Sequence, residues 1–561
     1  MLSRSYFTHL LVVAFLFPSL TVANTVSGIN GVVTSRSQIA SDVGVEILRQ
    51  GGNAIDAAVA VGFALAVTHP SAGNIGGGGF MVIKLDDGTV ITQDHREKAP
   101  GSAFPDMFLD TAGNVDRRKS LYSAQASGVP GSVAGMLDAL ERYGSMSREA
   151  VMAPAITLAE QGFALTRDMA DDFARVADSM SDYPASTAIF TNNGQPWRTG
   201  DIWIQFDLAT TLKRISEQGR DGFYQGETAD LLVAEMQRIG GIISHDDLQA
   251  YNVQWREPIS GRYRGYDIWS MPPPSSGGAL VVQMLNMLEP YDIGALGWGS
   301  ADTLHLMIEA QRRAYADRAE HMGDPDFYPV PLAMLTDKAY ARERFSDVDP
   351  DKASHSEDIG AGSWPVESTE TTHYSVMDKD GVAVSVTTTL NLGYGNRIVV
   401  PGAGFLLNNE MDDFSAKPGA PNAYGLLGDE ANKIEPGKRM LSSMTPTIVS
   451  RDGKTVLVTG SPGGSTIINT VFQVILNTLD HDMSVEEAVA SPRIHHQWQP
   501  DIVRYEPDAF VDGALKQLES MGHTEMRPGG YGIGDANSIL VKDGIMHGVS
   551  DPRNDGGASA Y

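Results

Sequence analysis

A mixed α+β fold is predicted for this chain of 561 residues from two observations. Paired runs of β-branched and aromatic residues joined by Asp/Gly turns read as antiparallel hairpins, and segments with apolar residues at helical spacing read as helices. The clearest hairpin joins Thr372–Asp378 to Val382–Leu390 through Lys379-Asp380-Gly381, with glycine where φ must be positive. A loop of that length with a bulge at Gly381 pairs Asp378 with Val382, and counting outward sets Thr371 opposite Thr389. A slip of one residue would leave the same neighbours together.

Composition bounds the function. With 42% hydrophobic and 20% charged residues the chain suits a globular enzyme with a sizeable core, and length alone accommodates roughly two to four domains. A net charge of −28 argues against a nucleic-acid partner, because a phosphate backbone would be repelled. The absence of cysteine excludes disulfides, thiolate metal sites and cysteine catalysis. Residues 1–24 read as a secretory signal, with Arg4, the apolar run Leu10–Leu20 and the small-residue cleavage site Thr21-Val22-Ala23. The expected product is an exported protein, in the bacterial periplasm or secreted, beginning near Asn24. No membrane span is expected after signal removal; an uncleaved anchor is the alternative.

Taken in order, Ser41–Gln50 carries Val43, Ile47 and Leu48 at helical spacing and stops at Gly51-Gly52. Ala54–Val67 is apolar on nearly every side and is expected inside a layer. The run Gly76-Gly77-Gly78-Gly79 precedes a strand, Phe80–Leu85, and not a helix, so it lacks the helix N-terminus that a nucleotide site requires. It reads as backbone that must pass close to another element. After the turn Asp87-Gly88, the strand Thr89–His95 leads into Arg96-Glu97-Lys98-Ala99-Pro100. Helices are expected at Ser132–Arg142, Ala150–Gln161, Leu208–Gln218, Thr228–Ile239 and Asp302–Arg318, with the rigid loop Met271–Gly278 (MPPPSSGG) among them. Residues 351–369 are polar and read as an exposed tether before Thr371. A strand at Ile448-Val449 and a hairpin of Ala536–Val541 with Ile545–Ser550 complete the reading.

The chemistry-bearing residues are individually modest signals. A threonine hydroxyl is a weak nucleophile unless a base adjoins it, and the α-amino group of the same residue can be that base once the preceding peptide is cut. Thr371 is therefore a candidate nucleophile, against the plainer reading of a Thr-rich hairpin chosen for strand propensity. The acidic pair Glu410 and Asp413 reads as surface charge, or as a metal site short of further ligands. Ser442-Ser443 before a strand says little alone. Gly460–Ser465 opens a helix along Ile468, Val471, Phe472, Ile475 and Leu479, with Ser465 read as its cap, and the backbone N–H groups of Gly463 and Gly464 can be aimed at a developing oxyanion. His495-His496 suggests metal, but neighbours on a strand point to opposite faces, so a structural role is read for them.

Read together, the segments TTHYS (Thr371–Ser375), REKAP (Arg96–Pro100), MPPPSSGG, NNEMDDF (Asn408–Phe414), Ser442-Ser443 and GSPGGS (Gly460–Ser465) resemble the γ-glutamyltransferase family of N-terminal nucleophile hydrolases. The resemblance runs from about Gly28 to Tyr561, in family order. It implies a four-layer αββα sandwich built jointly by two self-cleaved fragments, residues 25–370 and 371–561, cut between Glu370 and Thr371. It implies Thr371 as nucleophile, oriented by Thr389, with Gly463 and Gly464 as the oxyanion donors. For a γ-glutamyl donor it implies Arg96, Ser442 and Ser443 around the α-carboxylate and Glu410, Asp413 and Asn391 around the α-ammonium. Tyr424 would belong to a lid loop over residues 417–437. Position 410 is Glu where other members carry Gln. The expected substrates are glutathione, other γ-glutamyl compounds and amino acid or peptide acceptors, with no cofactor and no metal. Two rivals remain: a glutaryl or cephalosporin acylase of the same family, and an inactive binding protein or zymogen.

Overall fold

The computed structural model describes residues 24–359, 371–417, 420, 422–423, 425–529 and 532–561. The segment read as a signal, except for Asn24, and the positions Glu370 and Tyr424 lie outside the described residues.

The central hairpin forms as its turn chemistry predicts. Thr372–Asp378 pairs antiparallel with Ala383–Thr389, Thr372 facing Thr388 and Met377 facing Ala383. That register places Asp378 opposite Val382, whose carbonyl accepts from the Asp378 N–H at 3.1 Å, and Gly381 takes φ +87°. The Asp378 carboxylate fixes the turn. Oδ1 accepts from the N–H groups of Asp380 and Val382, each at 3.0 Å. Oδ2 accepts from the Ala54 N–H at 2.9 Å, tying the hairpin to the first turn of the helix Ala54–Thr68.

This hairpin lies inside a seven-stranded sheet ordered Gly557–Ala560, Gly31–Ser35, Thr372–Asp378, Ala383–Thr389, Gly78–Lys84, Val90–Asp94 and Gln254–Arg256. A second seven-stranded sheet runs Asn24–Gly28, Ile545–Ser550, Ser538–Lys542, Lys454–Thr459, Thr447–Arg451, Tyr266–Ser270 and Ile259–Tyr263. Strands from both sides of Thr371 enter each sheet. The sheets pack face to face through Val32, Val82, Met377, Ala383, Ile448, Val458, Ile539 and Met546. Burying both faces of a sheet is why these strands read as nearly continuous apolar and Thr/Ser runs.

Helices cover the two outer faces. Ala54–Thr68, buried along its whole length, lies against the first sheet with Ser132–Tyr143 and Arg148–Gln161 packed around it. Gly277–Leu288, Thr466–Leu479 and Ala301–His321 form the layer over the second sheet. The result is an αββα sandwich with three apolar layers, one between the sheets and one under each helical layer. Among the described residues no helix is long and apolar enough to cross a membrane.

One expectation needs correcting. The first part of the segment read as an exposed tether is docked: Ala353, Ser356 and Ile359 are buried. The Ser356 N–H donates to Asp501 at 2.8 Å, and its carbonyl accepts from Trp498 Nε1 at 3.0 Å. A polar composition did not prevent docking because the polar groups meet partners in the later half of the chain.

Candidate active site

Thr371 stands at the end of the central hairpin, 5% exposed, with its Oγ1 3.5 Å from the Oγ1 of Thr389. The Thr389 hydroxyl also accepts from the Asn391 N–H at 2.8 Å, which leaves its own O–H to be aimed elsewhere. Asn391 holds a left-handed backbone, φ +76°, and its Nδ2 donates to the Asn409 carbonyl at 2.9 Å. Asn408 in turn receives the N–H groups of Gly128 (2.8 Å) and Glu410 (3.1 Å) and donates to the carbonyls of Gly76 and Gly128, both at 2.8 Å. One buried amide thus sets where Glu410 stands.

The four-glycine run explains itself at this point. A Cβ on Gly76 would lie 2.1 Å from the Leu406 carbonyl oxygen, and one on Gly77 would lie 2.1 Å from that of Thr389. On Gly79 it would come within 2.4 Å of the Thr387 oxygen. The backbone passes too close to the hairpin and to Leu406 for any side chain, as the sequence indicated.

A cleft with about 290 Å³ of empty volume opens above Thr371 and Thr389. Arg96, Asn391, Glu410, Asp413, Ser442, Ser443 and Gly464 all line it, joined by Arg318, Leu426, Met444 and Ile467. Residues spread from position 96 to position 464 are therefore brought to one place. Gly463, adjoining the cleft residue Gly464, has φ +130° and Gly464 has φ +54°, just before the helix Thr466–Leu479. Among the described residues neither glycine N–H donates to a backbone carbonyl.

The cleft is crowded with charge. Arg96, 1% exposed, has Nη1 2.6 Å from Glu410 Oε2 and 3.5 Å from Glu97 Oε2, and Nη2 donates to Asp413 Oδ2 at 2.6 Å. Burial opposes the Arg96 charge, but the carboxylates of Glu410, Glu97 and Asp413 outweigh it and raise the pKa. Burial likewise pushes Glu410 well above the usual carboxylate range, Arg96 opposing and Glu97 and Asp413 adding to it. Glu97 is pushed up to about 7 by burial, with Arg96 opposing, and Asp413 is raised by burial against the pull of Arg96. Sequence reasoning missed Glu97 and Arg318. Nothing in the sequence distinguishes the first from a solvated neighbour of Arg96 or the second from any cation late in an amphipathic helix.

The paired histidines serve the structure. His495 contacts Asn469 (2.8 Å) and Gln497 (2.9 Å), and His496 contacts Asp501 (3.1 Å). Another group with metal-ligand chemistry is His305, Glu309 and His523. Its donors are already engaged: the two imidazoles bond each other at 2.9 Å, His305 meets the Asp349 carbonyl, and Glu309 pairs with Arg313 and Arg312.

The family model described as gamma-glutamyltranspeptidase matches residues 40–561. The chain belongs to the gamma-glutamyltranspeptidase family. It is 52% identical over 527 residues to the "Glutathione hydrolase proenzyme" of Escherichia coli K12, covering 93% of this chain and 90% of that protein. It is also 38% identical over 538 residues to "Acylase ACY 1 proenzyme" of Pseudomonas sp. SE83, covering 94% and 93%. Among solved structures it matches gamma-glutamyltranspeptidase of Helicobacter pylori at 48% identity and TM-score 0.57, covering 58% of this chain and 93% of that one. Cephalosporin acylase from Bacillus halodurans matches at 27% identity and TM-score 0.86, covering 98% and 99%. The family-level reading of the sequence and its αββα architecture both hold.

Proposed function

We propose that this family member is an exported γ-glutamyl hydrolase and transferase that cuts itself between Glu370 and Thr371 and then uses Thr371 as nucleophile. The observation that carries the reading is the meeting, in one cleft beside Thr371, of groups matched to a zwitterion: Arg96, Ser442 and Ser443 on one hand, Glu410, Asp413 and Asn391 on the other. The released α-amino group takes the hydroxyl proton and Oγ1 attacks the γ-carbonyl. The N–H groups of Gly463 and Gly464 receive the oxyanion, and the amine leaves with the proton. Water or an amino acid or peptide then attacks the Thr371 ester and regenerates the hydroxyl. Residues 25–370 and 371–561 remain together because strands of both build each sheet. The signal-like start, Arg4 with Leu10–Leu20 and Thr21-Val22-Ala23, supports periplasmic delivery.

The acylase relatives make a glutaryl donor the second reading. A glutaryl group lacks the ammonium and forgoes its charge-assisted contacts with Glu410 and Asp413, worth about 1.5–3 kcal/mol, leaving those carboxylates to Arg96. The expected result is a kcat/KM for a γ-glutamyl anilide on the order of ten-fold or more above that for the glutaryl anilide. Asp413→Ala should narrow the gap by damaging the γ-glutamyl reaction. Equal values in the unaltered protein would favour the acylase reading.

A further inference from the structure

Arg318 lies in the last turn of the helix Ala301–His321, lines the cleft and is 4% exposed. Its situation is the reverse of that of Arg96. Where Arg96 is held by Glu410 and Asp413, Arg318 finds hydroxyls: Nε donates to Ser276 Oγ at 2.8 Å and Nη2 to Ser443 Oγ at 3.1 Å. Among the described residues it forms no ion pair with a carboxylate. Burial lowers its pKa to about 10, with Tyr315 and Asp413 opposing, so the guanidinium is still charged at neutral pH. A buried cation without an ionic partner is costly, and it is retained where an anion is to be met.

The hydrogen-bond polarity leaves donors beside Arg318 that suit an anion. A guanidinium only donates, so Ser443 Oγ must accept from Arg318 and keeps its own O–H to give. Ser442 Oγ accepts from the Met444 N–H at 3.1 Å and has an O–H to give as well. Ser276, accepting from Arg318, donates its hydroxyl to the Ser442 carbonyl at 2.8 Å, and its N–H donates to the same oxygen at 2.9 Å. Arg318 thus joins the MPPPSSGG loop to the Ser442-Ser443 loop, with both serine hydroxyls on the cleft wall beside it.

We propose that Arg318 is a positioning and specificity-determining residue for the donor α-carboxylate: it orients the Ser443 hydroxyl directly and the Ser442 segment through Ser276, and it supplies the positive charge that Arg96, already held by two carboxylates, does not supply alone. This inference rests on the γ-glutamyl reading of the cleft.

The test compares γ-glutamyl p-nitroanilide with its α-carboxamide, which has the same shape and ammonium but no anion. Arg318→Met, with processing checked on a gel, should raise KM for the carboxylate donor about ten- to hundred-fold while kcat changes far less. Its kcat/KM for the carboxamide should stay within about two-fold of wild type, as expected for uniform binding lost at one substrate group. Arg318→Lys should restore part of the loss, and Arg318→Met with Ser443→Ala should cost less than the product of the single effects, since one acts through the other. Equal losses on both donors, or an unchanged KM for the carboxylate donor, would overturn the assignment. If Arg318→Met does not process, Ser276→Ala carries the test by removing the Nε acceptor while leaving the charge. A KM rise confined to the carboxylate donor supports the proposal, and no difference between donors overturns it. Wild-type enzyme that turns over both donors equally, or neither, would instead negate the γ-glutamyl reading itself.

Discussion

Thr371 and Thr389 face each other across the central hairpin with their hydroxyl oxygens 3.5 Å apart, a relationship set at the opposite end of the hairpin, where Asp378 meets Val382. Side chains alternate faces along each strand, and the observed register puts the two hydroxyls on the same face of the sheet. Thr389→Ala should therefore lower kcat about ten-fold or more, roughly 1.4 kcal/mol of barrier, with KM little changed, and Thr389→Ser should recover most of it. Steady-state kinetics of both variants check this. A loss confined to KM would make Thr389 a binding residue only.

Asp378 offers a prediction independent of catalysis. Its carboxylate accepts from Asp380, Val382 and Ala54 N–H groups, and removing it leaves buried donors unpaired. Asp378→Ala should cost about 1–3 kcal/mol of stability, read as a lower urea midpoint at unchanged slope. A midpoint equal to wild type would show that the turn holds its register without the side chain.

Glu410 supplies a pH-dependent prediction. Burial raises its folded pKa well above the unperturbed 4.5, despite the Arg96 charge. A carboxyl with a raised folded pKa favours the folded state fully below its unfolded pKa, and that contribution is lost as pH rises toward the folded value. Glu410→Gln cannot ionise, so its Tm relative to wild type should increase as pH is raised above about 4.5. A Tm difference that is flat with pH would mean that Glu410 ionises in the folded protein as readily as in the unfolded one.

Local chemistry made much of this molecule legible. The register of the hairpin followed from Gly381 and the alternation of its strands, and the close backbone approach at Gly76–Gly79 followed from four residues without side chains. The helix Ala54–Thr68 announced its burial through apolar residues on every face. What depended on tertiary placement stayed hidden. Arg318 looks like a solvated cation until the helix Ala301–His321 is seen to end against Ser276 and Ser443. The Arg96 ion pairs with Glu410 and Asp413 span more than three hundred positions of sequence, and no local pattern signals them. The docking of Ser356 was hidden for the same reason, its partners Asp501 and Trp498 lying far along the chain.

The central claim, that Thr371 becomes an N-terminal nucleophile, is tested most directly by sequencing the N-terminus of the smaller fragment from purified wild-type protein alongside Thr371→Ala. The account predicts two wild-type fragments, the smaller beginning Thr-Thr-His-Tyr, and a Thr371→Ala protein that stays a single inactive chain. Cleavage of Thr371→Ala at the same bond, or full γ-glutamyl turnover by an uncut chain, would contradict it.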